Sequence, residues 1–166
     1  MHPALITIRR ATAIDTPTIH RLLLEAAAWV DALGVVMWEA GELEYEAIER
    51  EVLADQFFIA DVDGEAAGAI RFQTEDLLFW PDIPQEASAF VHRLVVSRAH
   101  RGHGVSTALL EWAAAHARAH GKAWLRLDCD NERPKLKALY ERFGFRLHSF
   151  RQVGPYYVAR YEYPLT

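Results

Sequence analysis

The sequence has a single cysteine, Cys129, so no disulfide can form within the chain. A disulfide-stapled scaffold is excluded, and the expected compartment is a reducing one, the cytoplasm. Long hydrophobic runs are missing too. The most apolar stretch, LLLEAAAWV, is interrupted by a glutamate and falls far short of a bilayer-spanning segment, so no membrane association is expected. The opening MHPALITIRR has an apolar run too short for the core of a secretory signal. Nor is there an excess of positive charge. The 23 Asp and Glu outnumber the 18 Lys and Arg, and the formal net charge of −5 argues against a general nucleic-acid binder. No repeat, biased tract or Pro/Gly/Ser-rich linker divides the 166 residues, and one domain, 1–166, is expected.

What is present is a regular alternation of periodicities. Residues 5–9 alternate apolar and polar and predict a first strand. Thr16-Pro17 predicts a helix start, with the threonine hydroxyl as cap. Ile19, Leu22, Leu23, Ala26, Val30 and Leu33 then recur at helical spacing up to Gly34. A second helix is expected over 42–54. Strands over 56–61 and 66–73 flank Asp63-Gly64, a strong hairpin signal. The stretch TEDLLFWPDIPQEA reads as a long loop, and long loops in compact domains are often functional. Further strands are expected over 87–96, 124–129, 145–151 and 156–163, with helices over 104–120 and 133–143. The order β α α β β β α β α β β describes a mixed α/β (α+β) sheet.

The densest chemistry lies in FVHRLVVSRAHRGHGVSTALL, residues 90–110. A buried strand runs into a basic, glycine-bearing loop and then into a helix. Free backbone N–H groups at a helix N-terminus, backed by the helix dipole, make a site for phosphate or pyrophosphate. No Lys-Ser/Thr follows the glycines, as it would in a nucleotide P-loop, and the G-x-G-x-x-G spacing of a dinucleotide fold is missing.

The element order and the run Arg101-Gly102-His103-Gly104-Val105-Ser106 resemble the GNAT superfamily of N-acyltransferases, which use acyl-coenzyme A. So do Leu127-Asp128-Cys129, Asn131 and the run Leu139-Tyr140-Glu141-Arg142-Phe143-Gly144-Phe145. Ser106 departs from the glycine or alanine usual at its position. The resemblance covers essentially the whole chain. It implies a mostly antiparallel sheet of about seven strands with about four helices and a splayed central strand. It also implies acetyl-CoA as co-substrate, no metal, and an amine acceptor. Residues Arg101 to Thr107, including Val105, and Asn131 would bind the coenzyme. The backbone of Leu94, Val95 and Val96 would pair with its pantetheine arm, with Val95 N–H the first choice for the oxyanion. Tyr140 would protonate the leaving thiolate.

For the base, His92 lies on the central strand on the face of Phe90 and has a suitable ordinary pKa. A loop acid, Glu75 or Asp76, is the other candidate. Trp38 and Trp80, in loops beside Glu39, Glu42, Asp76 and Asp82, would suit the wall of a cleft for a cationic amine. His116 and His120 have metal-pair spacing but lack an HExxH frame and a third ligand. Cys129 is expected to be a buried structural thiol, and Trp29, Trp112 and Trp124 are expected in the core. A small-molecule amine acceptor is favoured. Acetylation of a protein N-terminus or lysine, and non-catalytic acyl-CoA binding, are the alternatives. The last strand could pair across a homodimer.

Overall fold

A computed structural model describes residues 4–31, 38 and 40–166. It contains seven strands: β1 (Ile6–Arg10), β2 (Phe57–Val62), β3 (Glu65–Gln73), β4 (Ser88–Val96), β5 (Trp124–Asp130), β6 (Arg146–Val153) and β7 (Tyr156–Pro164). Among the described residues there are four α-helices: α1 (Thr16–Asp31), α2 (Tyr45–Leu53), α3 (Val105–Ala119) and α4 (Pro134–Phe143). The strands form one sheet in the order β1-β2-β3-β4-β5-β7-β6. β1–β2, β2–β3, β5–β7 and β6–β7 pair antiparallel, and β4–β5 pairs parallel. The expected mixed, mostly antiparallel architecture is therefore present. No helix among the described residues is long and apolar enough to cross a membrane.

The chain resolves into two compact units. The first comprises Met1–Arg71 and Arg93–Leu110. Its core gathers Ile19, Leu22 and Leu23 of α1, Ile48 and Val52 of α2, Phe57 and Ile59 of β2, Ala69 of β3 and Val95 of β4. Asp63 and Gly64, at φ +50° and +84°, make the β2–β3 turn that the sequence signals. Gly68 on β3 has a different role. A Cβ there would lie 2.7 Å from the Val95 carbonyl oxygen and 3.0 Å from Val105 Cγ1. The Ser97 N–H donates to the Ala67 carbonyl at 2.7 Å. Glycine thus lets β3, the end of β4 and the start of α3 approach closely.

The start of α1 differs from expectation. A short 3₁₀ turn, Ala13–Asp15, precedes it, and Thr12 N–H donates to Asp15 Oδ2 at 2.8 Å. Thr16 already lies inside the helix, its buried hydroxyl without a hydrogen-bond partner among the described residues. Leu33, Gly34 and Glu39 lie outside the described residues.

The second unit comprises Phe72–His92 and Glu111–Thr166. Leu125, Phe90, Trp80 and Tyr161 are its largest fully buried side chains. Three residues of β4, Ser88–Phe90, pair with Trp124–Arg126 of β5. The ladder does not reach Val91 and His92. Trp29, Trp112 and Trp124 are half-buried rather than core. Each ring stacks on a neighbour instead: Arg101 on Trp29 at 4.5 Å, His116 on Trp112 at 4.6 Å, Arg126 on Trp124 at 5.2 Å.

Gly68→Ala is expected to cost about 1–3 kcal/mol, the usual penalty of overpacking, because backbone cannot retreat as a side chain would. Gly41→Ala, where a Cβ would meet nothing within 4 Å, serves as the control. Urea unfolding compares the two, and equal midpoints would mean that the close approach at Gly68 is not needed.

Candidate active site

In the second unit, residues 74–87 form a packed strap rather than an open loop. The buried Arg160 of β7 donates from Nη1 and Nη2 to the two Asp82 carboxylate oxygens at 2.7 and 3.0 Å, and from Nη1 to the Phe79 carbonyl at 3.0 Å. Its Nε donates to Ser149 Oγ at 2.8 Å. The Arg160 hydrogen bonds hold the Asp82 carboxyl down at about 2. Two guanidinium groups lie over the Trp80 ring, Arg160 at 4.5 Å and Arg126 at 5.3 Å. Arg126 in turn donates to Glu162 at 2.9 Å and to Ser88 Oγ. Trp80 is 0% exposed, which corrects its expected place on an open acceptor wall. It anchors the strap. Gln85 closes the strap by accepting from Asp76 N–H at 2.7 Å and donating to the Trp80 carbonyl at 2.7 Å.

The strap delivers Asp76. The Leu78 and Phe79 N–H groups donate to Asp76 Oδ1 at 3.2 and 3.0 Å, and Oδ2 meets His92 Nε2 at 2.7 Å. Burial alone would raise this carboxyl. The hydrogen bond and charge of His92, with the two backbone donors, outweigh burial and lower it, so Asp76 is ionised at neutral pH. The ionised Asp76 carboxylate therefore accepts the Nε2 proton of His92, which leaves Nδ1 as the ring nitrogen on the side of Asp128. Phe79 covers the ring, centroid to centroid 5.6 Å. Glu75, the alternative loop acid, is exposed.

The third member was not anticipated as a site residue. Asp128 of β5 places Oδ2 3.7 Å from His92 Nδ1. Had the β4–β5 ladder continued past Phe90 opposite Arg126, its register would set His92 beside Asp128. The strands stop pairing first, and the two side chains still approach each other. Burial raises the Asp128 carboxyl to about 6, with the neighbouring Asp76 charge adding to the rise against the pull of His92 and Arg160. One signal was legible in advance: Asp128 is an acid inside the buried strand run WLRLDCD. Asp76, His92 and Asp128 bring one ligand atom each to within 4.8 Å of one another, which a small cation could also use.

Tyr140 is 5% exposed and packs against Phe145 at 5.8 Å and Tyr161 at 6.2 Å. Burial pushes its phenol well above the ordinary value, so it stays protonated throughout the physiological range. Burial likewise pushes the Cys129 thiol up to about 12, as a structural thiol requires. Asn131 Oδ1 accepts from Lys137 Nζ at 2.9 Å. His116 meets Phe72 edge-on at 4.7 Å and His120 meets it tilted at 6.0 Å, an aromatic cluster.

In the first unit, β4 ends in the glycine loop. Arg93 adopts φ +54°, a conformation costing of order 1–3 kcal/mol outside glycine. Its guanidinium is held by the Glu42 carbonyl at 3.2 Å, Glu51 at 3.4 Å and the Trp38 ring at 5.7 Å. Trp38 is thus half-buried with its face already used by Arg93. Beyond it come Leu94 and Val96, half-buried, and Val95, in the core. Ser97 Oγ bonds His100 Nδ1 at 2.6 Å, fixing the turn Arg98–His100. Arg101, Gly102, His103 and Gly104 are all exposed. Gly102 and Gly104 have φ +78° and +79°, which glycine alone adopts readily. α3 begins at Val105 rather than Gly104, and Ala108 N–H makes the first bond back to the Gly104 carbonyl at 3.0 Å. The N–H groups of Val105, Ser106 and Thr107 therefore precede the helical ladder and point out of the helix end. Arg98 and Arg101 both lie over Trp29, at 5.7 and 4.5 Å.

The family model described as the acetyltransferase (GNAT) family matches residues 20–145. Among curated proteins, the chain is 29% identical over 138 residues to the uncharacterized N-acetyltransferase YesJ of Bacillus subtilis (strain 168), covering 79% of this chain and 76% of that one. The GNAT-family acetyltransferase structure from Streptococcus agalactiae 2603 superposes with a TM-score of 0.81 at 18% identity, over 96% of this chain and 95% of that one. The structure of yncA from Salmonella typhimurium, solved with its cofactor acetyl-CoA, gives 0.75 at 18% identity, over 98% and 95%. At these identities the structural likenesses establish the fold.

The raised Asp128 carboxyl has a consequence for stability. It titrates near 3.8 when unfolded and near 6 when folded. Between those values the native chain holds a proton the unfolded chain has released. Stability from this group therefore falls as pH rises through the window, by roughly 3 kcal/mol in all, and is level above it. Asp128→Asn is expected to be more stable than the wild type above about pH 6 and to lose this fall. Urea unfolding of both chains from about pH 4 to about pH 8 measures the difference, and parallel curves would assign the titration elsewhere.

Proposed function

Because the chain belongs to the acetyltransferase (GNAT) family, we propose that it transfers an acetyl group from acetyl-CoA to the primary amine of a small molecule, by direct attack within a ternary complex. The observation that carries this reading is the 2.7 Å contact of ionised Asp76 with His92 Nε2, which makes His92 a poised base. The single cysteine supports action in the cytoplasm.

The roles follow from the chemistry. The loop Arg101–Thr107 binds the pyrophosphate through the N–H groups at the start of α3 and through the Arg101 charge, with Gly102 and Gly104 keeping the backbone clear of side chains. Leu94–Val96 pair with the pantetheine arm, and the Val95 N–H donates to the oxyanion. His92 takes a proton from the amine at Nδ1, and Asp76 holds the resulting imidazolium. The amine nitrogen then forms the N–C bond, the C–S bond breaks, and the sulfur leaves with its electron pair. Tyr140 supplies the proton the thiolate takes up, and regains one from the nitrogen. The sum is amine plus thioester giving amide plus thiol.

Mixing the protein with acetyl-CoA and a panel of primary amines and lysine peptides, and following release of the coenzyme thiol, tests the reading. Turnover of small amines is expected; release only with peptides would favour protein acetylation, and none with either would overturn enzymatic transfer. His92→Gln is expected to lower kcat by about 10²–10⁴-fold, the usual contribution of a general base. Tyr140→Phe is expected to keep coenzyme affinity and lose turnover. Gly104→Val is expected to lose coenzyme affinity because valine resists φ +79°, while the chain still folds. Wild-type affinity in that variant would remove the loop from coenzyme binding.

A further inference from the structure

In the first unit, Arg93 of β4 is buried with part of its guanidinium unserved. Its side chain is 10% exposed, and its φ of +54° is one that a non-glycine residue keeps only under constraint. The contacts that hold it are long. Nη2 donates to the Glu42 carbonyl at 3.2 Å and to Glu51 Oε1 at 3.4 Å, and Nε lies 3.4 Å from Glu51 Oε2. Charge-assisted hydrogen bonds of this kind usually run at about 2.7–2.9 Å. Glu51 makes its short contact elsewhere, from Oε1 to Arg71 Nη1 at 2.9 Å. Nη1 of Arg93 is itself buried and has no hydrogen-bond partner among the described residues. It carries two N–H groups, and unpaired donors on a buried cation are costly, so a protein retains them where something else completes them.

We propose that Arg93 is a ligand-binding residue whose Nη1 anchors the carboxylate of a small molecule. The surroundings of the guanidinium select that chemistry. Glu51 takes the Nε–Nη2 edge, the Glu42 carbonyl also accepts from Nη2, and the Trp38 ring stacks on the group at 5.7 Å. The Nη1 end is what remains to be completed. Donors alone call for an acceptor, and the positive charge prefers an anion to a neutral carbonyl. Burial then favours a small, singly charged ion, because removing a dianion from water costs far more. A carboxylate meets all three conditions, and its plane matches that of the guanidinium. The strained backbone gains a purpose as well, since left-handed residues of this kind persist at ligand clamps. The inference stands without the acetyl-transfer reading.

Sodium formate, acetate and propionate are the probes, with acetamide, sodium chloride and inorganic phosphate at matched ionic strength as controls. The side-chain nitrogen resonances of Arg93, assigned through the side chain from its backbone amide, report binding by NMR. In the wild type each carboxylate is expected to shift the Nη1 signal saturably, and the controls are expected to leave it in place. Arg93→Lys keeps the charge but loses the Nη1 donors. It is expected to weaken acetate binding by at least about 10-fold, the scale of a hydrogen bond to a charged group. The acetate-dependent rise in Tm reads that loss, because a ligand of the native state alone stabilises it. Should the variant fail to fold, the comparison of acetate with acetamide and chloride on the wild-type chain decides. The proposal is overturned if acetate leaves the Arg93 signals unmoved, or if any control moves them as far as acetate does. It is also overturned if Arg93→Lys folds and binds acetate with wild-type affinity.

Discussion

The buried guanidinium of Arg160 is the interaction on which the second unit's chemistry depends. It pins Asp82 and the Phe79 carbonyl and stacks on Trp80, so residues 74–87 are set in one conformation. That conformation turns the Leu78 and Phe79 N–H groups onto Asp76, and Asp76 fixes the tautomer of His92. Each of these carboxylates is engaged by charge-assisted hydrogen bonds, and Asp76 is buried where water competes poorly. The acid–imidazole pair is thus positioned through the buried side chains of Arg160 and Trp80. Loss of Arg160 would leave Asp82 merely exposed but would free Asp76 to wander.

The first unit solves a different problem, that of bringing bare backbone to a surface. Gly68 removes the side chain that would hold β3 away from the Val95 carbonyl. Gly102 and Gly104 turn the chain through left-handed conformations just ahead of α3. Arg93 takes up the strain of a left-handed residue inside β4, and Glu51, the Glu42 carbonyl and Trp38 hold it there. Backbone N–H groups carry no sequence label, so only the glycines that expose them are marked in the sequence.

Much of this was legible in the sequence, for physical reasons. Period-two and period-3.6 patterns reflect burial on one face, so the strands and helices appear within a residue or two of where they were expected, except that α2 begins at Tyr45 rather than at 42, a 3₁₀ turn taking the residues before it. The run from Arg101 to Ser106 was legible because glycines mark positions that other residues cannot occupy. His92 and Asp76 were both named as candidate bases, but not as partners, because their meeting depends on how residues 74–87 fold back. Asp128 was hidden more deeply. Its place follows from the parallel register of β4 and β5, which no local pattern encodes. The close approach at Gly68 has no local signal in the sequence, since the carbonyl it spares lies on another strand. The tryptophans misled in the opposite direction: aromatic rings in periodic elements suggested core, whereas Trp29 and Trp124 serve as platforms for guanidinium groups.

Alternation along β5 sets Asp128 and Cys129 on opposite faces of one strand. The carboxylate faces His92, while the thiol is 5% exposed and held protonated by burial. In the folded chain that sulfur is chemically silent, since only a thiolate reacts at an appreciable rate. It becomes reactive when β5 separates from its neighbours and water reaches it. The lone cysteine is therefore a built-in clock: its labelling rate reads the frequency with which the strand bearing Asp128 opens.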